Sequence, residues 1–445
     1  MSDVTRAGPA PLAAAGTASA AVSPLPLGGV AAYGLFAMPL AMAALPLYVH
    51  LPKFYGDTLG VSLTLLGVLL LVLRLADGAL DPLFGVWSDR APSRRALIGW
   101  SAPVLALGMV ALFAPLPRDE GPLLLWLGVS LALVYAAFSL ATINHNAWGA
   151  ELSSDPVQRT RITAVREGLA LIGVVLASVA PALLAPVSEP ATGLARFALA
   201  FAVFTAVAAL VTVTRAPVAP RPAPMATSTR AGLALPLADP VFRRLLLVFM
   251  ANGIASAIPA TLVLFFIADV LQAEARQGLF LAIYFVAGAA GMPLWIRLSA
   301  RHGKVRAWAV GMVAAIVAFV WAWGLGPGDD VAFAVICALS GVALGADLAL
   351  PPSLLADVID RDGRARPTGA YFGLWTLATK LNLALAAGVA LPLLGALGYA
   401  PGGRDAPALS SLAFVYAAVP CLLKLGALGA LYSFHSLQRK EGSLP

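Results

Sequence analysis

Charge is scarce in this chain: Asp, Glu, Lys and Arg together make up 11% of 445 residues, where an ordinary soluble domain carries about 25%. Cysteine occurs twice, as Cys337 and Cys421. Both fall inside apolar runs, so no disulfide framework is implied and two inert thiols are expected. No Gly-x-x-x-x-Gly-Lys stretch occurs, which argues against nucleotide-driven work. The extended period-two alternation of a membrane barrel is also missing. What is plentiful is hydrophobicity, at 60% of residues and a mean hydropathy of +0.87. The chain therefore reads as a polytopic helical membrane protein, with room for about twelve spans of roughly 20 residues.

Residues 1–27 are rich in Ala and Pro and carry only Asp3 and Arg6. They read as a disordered tail, without the basic start and apolar core of a cleaved signal. Spans are expected at 28–51, 61–87, 97–115, 121–147, 162–186 and 194–213, and again at 241–270, 278–298, 305–325, 331–355, 369–397 and 409–434. Pro39 and Pro46 should interrupt the first span. Pro351 and Pro352 should kink the tenth. Between the two sets, residues 214–240 hold Arg215, Arg221, Arg230 and several prolines, and read as a cytoplasmic linker. Residues 435–445 form a short cytoplasmic tail. Two six-helix bundles, 28–213 and 241–434, follow.

The net charge of +7 fits membrane orientation better than nucleic-acid binding, because the basic residues cluster in alternate loops. Arg90, Arg94, Arg95, Arg159, Arg161, Arg301, Lys304, Arg306, Arg361, Arg364 and Arg366 fall on one side, and Lys53, Arg118, Arg196, Arg276 and Arg404 on the other. This asymmetry places both termini in the cytoplasm.

Against the apolar background a few polar groups stand out. Arg74, Asp77 and Asp81 are spaced i, i+3, i+7 inside the second span, so on a helix they share one face. An ionised carboxylate in hydrocarbon costs at least ~2.5 kcal/mol, so that face must look into the bundle. Hard cations prefer oxygen ligands, and two neighbouring carboxylates repel unless a cation or proton lies between them. Asp77 and Asp81 are thus candidate ligands for Na+ or H+. A structural salt bridge to Arg74 is the competing reading. Lys380 is the polar outlier of the second half, with Thr376 one turn before it. Asp347, in a Gly-Ala-Asp-Leu-Ala-Leu-Pro-Pro run, is expected opposite Lys380 or Arg166. Lys424, in the last span, has no assignment.

Gly85-x-x-x-Asp89-Arg90 followed by Arg94-Arg95 resembles the loop motif of the major facilitator superfamily. Gly291-Met-Pro-Leu-Trp-Ile-Arg and Arg301-His-Gly-Lys304 echo it in the second half. The run Arg74-x-x-Asp77-x-x-x-Asp81-Pro82 is similar to the second helix of its glycoside-pentoside-hexuronide:cation symporters. So are Ala147-Trp-Gly-Ala-Glu-Leu152 with Arg159 and Arg166, and Leu355-Ala-Asp-Val-Ile-Asp360 with Tyr371-Phe-Gly-Leu-Trp-Thr376-x-x-x-Lys380. Together, in order, they cover nearly the whole chain after the tail.

The resemblance implies an all-α major facilitator fold of twelve helices in two pseudo-symmetric six-helix bundles. It implies secondary active symport of a small organic solute, foremost a sugar or glycoside, coupled to Na+ or H+, with Li+ as a further coupling ion. Asp77 and Asp81 would hold the cation, with Thr142 standing where the melibiose carrier has another carboxylate. Arg166, Asn144, Trp148, Trp375, Thr376 and Lys380 would meet the solute; Asp347, which has no obvious equivalent in the family pattern, is expected to join them from its place facing Lys380 or Arg166. Arg74, Gly85, Asp89, Arg90, Arg94, Arg95, Arg301 and Lys304 would gate, as exposed pairs worth ~0–1 kcal/mol each. Arg166 paired with Glu167 or Glu151 is the plainer alternative for that residue.

One departure concerns the solute: the melibiose carrier has a Lys-Asp pair in its first helix, whereas Leu35-Phe-Ala-Met-Pro-Leu-Ala-Met42 is uncharged here. A lysolipid or other amphiphile, a proton-coupled exporter of the same fold, and a non-transporting scaffold stay open as alternatives. Enzymatic activity and a cofactor are not expected. The expected partners are the lipid bilayer of a bacterial-type cytoplasmic membrane and the solute, with no nucleic acid, and the chain is expected to be monomeric.

Overall fold

The computed structural model describes residues 24–185, 192–219, 228–361, 366–399, 402–403 and 405–440. Most of the expected tail, part of the linker, and Arg221, Arg364 and Arg404 lie outside these residues. Among the described residues the chain is helical, without strands. The long helices are α1 (Leu27–Ala44), α2 (Leu63–Arg90), α3 (Arg94–Phe113), α4 (Glu120–Glu151), α5 (Pro156–Leu184) and α6 (Gly193–Arg215). They are followed by α7 (Pro240–Val270), α8 (Gln277–His302), α9 (Lys304–Phe319), α10 (Asp330–Asp360), α11 (Thr368–Ala396) and α12 (Ala406–Phe434).

Among the described residues, eleven helices are long and apolar enough to cross a membrane. Helix α2 adds 28 residues, about 42 Å at 1.5 Å per residue, and carries the candidate aspartates. In α1 the regular helix stops at Gly34 and resumes at Ala37, so the interruption expected from Pro39 falls one turn before it, at Leu35–Phe36, where its missing N–H removes the helical bond back to Leu35. Pro46 opens a π-helical turn to His50, and a second one runs Phe54–Thr58. A residue without an N–H is accommodated by widening the turn rather than ending the helix.

Several helices outrun the apolar boundaries expected for them. Helix α5 begins at Pro156 because the Asp155 carboxylate accepts from Val157 N at 2.9 Å, a cap with proline just inside. Helix α10 continues through Pro351 and Pro352 to Asp360. The linker stretch holds a helix, Thr229–Ala238, with Ser228 as its cap, its Oγ accepting from Ala231 N at 3.2 Å. At ten residues, with Pro236 inside it, this helix is too short to read as a span in the sequence.

Within the first six helices α3 packs on α4 and α6, and α1 on α5. Within the last six α8 and α9 pack on α10, and α7 on α11 and α12. The two sets meet chiefly along α2–α11 and α5–α8. These pairings exchange when helix n is replaced by n + 6, as a pseudo-twofold arrangement requires. At α2–α11 the backbones touch: a Cβ on Gly85 would lie 2.3 Å from Gly369 O, and one on Gly373 2.6 Å from Asp81 O. Only glycine permits that approach.

Candidate cation and solute site

Asp77 and Asp81 stand one turn apart on α2, facing inward, with 6% and 0% of their surfaces exposed. Lys380 of α11 reaches across the interface between the two helix sets and meets both. Its Nζ lies 2.6 Å from Asp77 Oδ2, 3.0 Å from Asp81 Oδ1 and 2.9 Å from Asp81 Oδ2. Ser139 of α4 completes the cluster, donating to Asp77 Oδ1 at 2.8 Å and lying 2.9 Å from Lys380 Nζ. The cation seated between the acids is therefore Lys380, whereas Arg74 is exposed.

Ser139 was not singled out from the sequence, although Thr142 was. The two are i and i+3 on α4, one face of the helix. Thr142 Oγ1 is a buried oxygen without a hydrogen bond, and Asp81 Oδ2 meets only the Lys380 ammonium, at 2.9 Å. Both are oxygen donors of the kind a hard monovalent cation takes up.

The expected solute contacts divide. Trp375 is stacked on Phe249 of α7 at 3.8 Å and 23°. Thr376 returns its hydroxyl to Phe372 O at 2.9 Å. Arg166 is buried and donates to Glu167 and Asn146, so the plainer pairing with Glu167 is the one formed. With Thr163, Arg159 and Phe372 it lines a small cavity between α4, α5, α10 and α11.

Asn144 and Trp148, also expected to meet the solute, are engaged by neighbouring helices. Asn144 is fully buried, accepting from Ser88 Oγ at 2.7 Å and donating to Leu140 O at 2.8 Å. Trp148 sits edge-on to Tyr33 with the Arg95 guanidinium 5.0 Å over its ring. Both side chains are consumed by helix packing on the side of α4 that faces α1 and α2.

Asp347 faces neither Lys380 nor Arg166, contrary to expectation. Its Oδ2 meets Lys424 Nζ at 2.7 Å and its Oδ1 accepts from Trp308 Nε1 at 2.9 Å. This gives Lys424 of α12 a partner that sequence reasoning could not name. The two are 77 residues apart, and nothing in the spacing joins α10 to α12.

Of the expected gating residues, Asp89, Arg94 and Lys304 are buried in ion pairs at the end where the basic loops lie, not the exposed pairs anticipated, whereas Arg74, Arg90 and Arg301 are exposed. Asp89 accepts from Gly369 N at 2.6 Å and Ala370 N at 2.8 Å, the free N–H groups at the start of α11. Arg94 bridges Asp89 at 3.2 Å and Glu151 at 2.7 Å. Arg159 joins Asp357 at 3.1 Å and Asp360 at 2.6 Å across the two sets, and Lys304 shares Asp357. Arg95 donates to Ala216 O, Arg90 to Thr229 Oγ1 at 2.9 Å, and Arg301 is exposed.

Asp239, which caps α7, is gripped by Arg361 at 3.0 Å, Arg366 at 2.8 Å and the Tyr371 hydroxyl at 3.1 Å. Burial works against its charge, but the Arg361 contact, the α7 N–H groups and Tyr371 outweigh it and hold the carboxyl below its ordinary range. At the opposite end the ion pair Arg276–Asp330 and the bonds Ser62–Glu120 and Tyr399–Asp269 each stay within one set of helices.

The profile of the family described as MFS/sugar transport protein matches residues 30–439. An isoprimeverose transporter of Lactiplantibacillus pentosus is 26% identical over 29% of this chain and 28% of its own length. The inner membrane symporter YicJ of Escherichia coli is 24% identical over 29% of each chain. The chain thus spans less than a third of the length of these curated relatives. Among solved structures, the Escherichia coli fucose:proton symporter superposes with a TM-score of 0.68 at 14% identity, covering 91% of this chain and 97% of that one. A bacterial homologue of the iron transporter ferroportin, in an outward-facing state, gives 0.67 at 16% identity over 92% and 99%.

Proposed function

Because the chain belongs to the MFS/sugar transport protein family, a multi-pass membrane protein with the major facilitator fold, we propose that it is a cation-coupled symporter of a sugar or glycoside. The observation that supports this reading above others is the Asp77–Asp81–Ser139–Lys380 cluster, built from both helix sets at bilayer depth. Two acids and one ammonium leave the cluster one negative charge in excess, which a single monovalent cation or proton balances.

The ammonium of Lys380 occupies the place of a coupling ion and ties α11 to α2. Na+, Li+ or H+ arriving at Asp77 and Asp81 competes with it, so cation binding releases a tether between the two halves. A free Lys380 then offers three donors to solute hydroxyls beside Thr376. Cation and solute binding therefore assist one another reciprocally. Rocking of the halves about α2–α11 and α5–α8 carries both across. In the state described here, the buried lattice of Asp89, Arg94, Arg159 and Asp357 seals the end bearing the basic loops. We assign that end, and with it both termini, to the cytoplasm.

Solute and cation binding to the purified protein, measured in Na+, in Li+ and in neither, tests the reading. Asp77→Asn should remove the cation dependence. Solute binding that is independent of cation and pH, or that survives unaltered in this variant, would refute it.

A further inference from the structure

A second ionic centre lies wholly within the last six helices. Lys424 of α12 donates to Asn252 Oδ1 and Asp347 Oδ2, each at 2.7 Å. Trp308 of α9 donates to Asp347 Oδ1 at 2.9 Å, and Ser256 of α7 lies 3.4 Å from Oδ2. A buried ion pair is a poor device for stability alone, since apolar packing of equal volume does as well or better. Trp308 and Asn252 are buried, whereas Asp347 and Ser256 keep part of their surfaces exposed. At bilayer depth a carboxylate cannot show that remainder to lipid, so it faces the interior.

Phe249, Asn252, Gly253 and Ser256 fall at i, i+3, i+4 and i+7 on α7, one continuous face. That face begins at the Phe249–Trp375 stack and ends at Asp347. Midway, Asn382 of α11 packs on Gly253, where a Cβ would sit 2.0 Å from its Nδ2. Its Oδ1 is buried without a partner. An aromatic plate, a paired carboxylate and ammonium, and an unfilled amide acceptor make a surface suited to a ring bearing several hydroxyls.

Resting on the symport reading, we propose that the Asp347–Lys424 pair, with Asn252, Ser256 and Asn382, is a solute-hydroxyl subsite. It supplies from the second half the charged pair that α1 lacks between Leu35 and Met42.

Isothermal binding of isoprimeverose and of the methyl glycosides of xylose, glucose and galactose in saturating Na+ or at low pH tests it. Asp347→Asn and Lys424→Gln should each weaken the sugar bound by the unaltered protein at least tenfold, leaving Na+ affinity within twofold. If a single variant does not fold, the double variant, which strands no charge, carries the same comparison. The exchange Asp347→Lys with Lys424→Asp keeps an ion pair but reverses the groups offered to solute, and it should not restore affinity. Unchanged affinity in the neutral variants, or full restoration by the exchange, would reduce the pair to a brace and overturn the proposal. If no panel sugar binds the unaltered protein, the sugar reading itself fails and takes this proposal with it.

Discussion

Replacing Lys380 by methionine removes the cation that sits between Asp77 and Asp81 while keeping most of the side-chain volume. In the structure its ammonium lies within 3.0 Å of oxygens on both acids and 2.9 Å from Ser139 Oγ. Breaking one side of a buried pair costs about 3–5 kcal/mol, chiefly because the remaining charge is left uncompensated. Lys380 keeps 18% of its side chain exposed, so water screens part of that, and about 1.4–3 kcal/mol is the working range. A mobile cation no longer has to displace the ammonium, so its affinity should rise by that amount, roughly tenfold to a hundredfold.

The assay is Na+ and Li+ titration of the purified variant, by calorimetry or by thermal shift, against the unaltered protein. Transport should fall even as cation affinity rises, because the tether between the halves no longer resets. Cation affinity that is unchanged or weaker in Lys380→Met would refute the idea that the lysine competes with the coupling ion.

Further expectations concern the sealed end. Gly85→Ala places a methyl group against Gly369 O, where a Cβ has 2.3 Å of room. Overpacking of about 1–3 kcal/mol should open α2–α11 there, so that a cysteine introduced at buried Thr160 alkylates faster. Asp357→Asn leaves Arg159 and Lys304 without their shared carboxylate and should raise the same alkylation rate. Asp239 has a depressed carboxyl pKa, so its stabilisation is full above the unfolded value of about 3.9 and is lost as pH falls through the lower folded value. The melting-temperature gap between the unaltered protein and Asp239→Asn should accordingly be widest near neutrality and close below about pH 4. A gap independent of pH would count against the Arg361 and Arg366 grip as its source.

The spans and the acids of the second helix are legible in the sequence because bilayer physics makes them so. About 20 apolar residues in a row have one stable fate in lipid, and a carboxylate within them must turn inward. Helix ends were less legible, since α5 and α10 extend past their apolar stretches on caps and polar contacts made outside hydrocarbon. Legible too, at one remove, was the helix face on α4: Thr142 marked it, and Ser139 on the same face makes the contact to Asp77.

Partnerships were a different matter. Lys380 and Asp77 are 303 residues apart, and Lys424 could have met any acid in the bundle. Local sequence sets which side of a helix is polar, because side-chain direction repeats every 3.6 residues. Which polar faces meet depends on how twelve helices are arranged about the central interface, a property of no single segment. Hence the sequence by itself determined a membrane-embedded bundle with costly charges at bilayer depth. The tertiary structure alone decided that Lys380 fills the diacid, that Asp347 belongs to Lys424, and that Asp89, Arg94 and Lys304 are held in buried ion pairs.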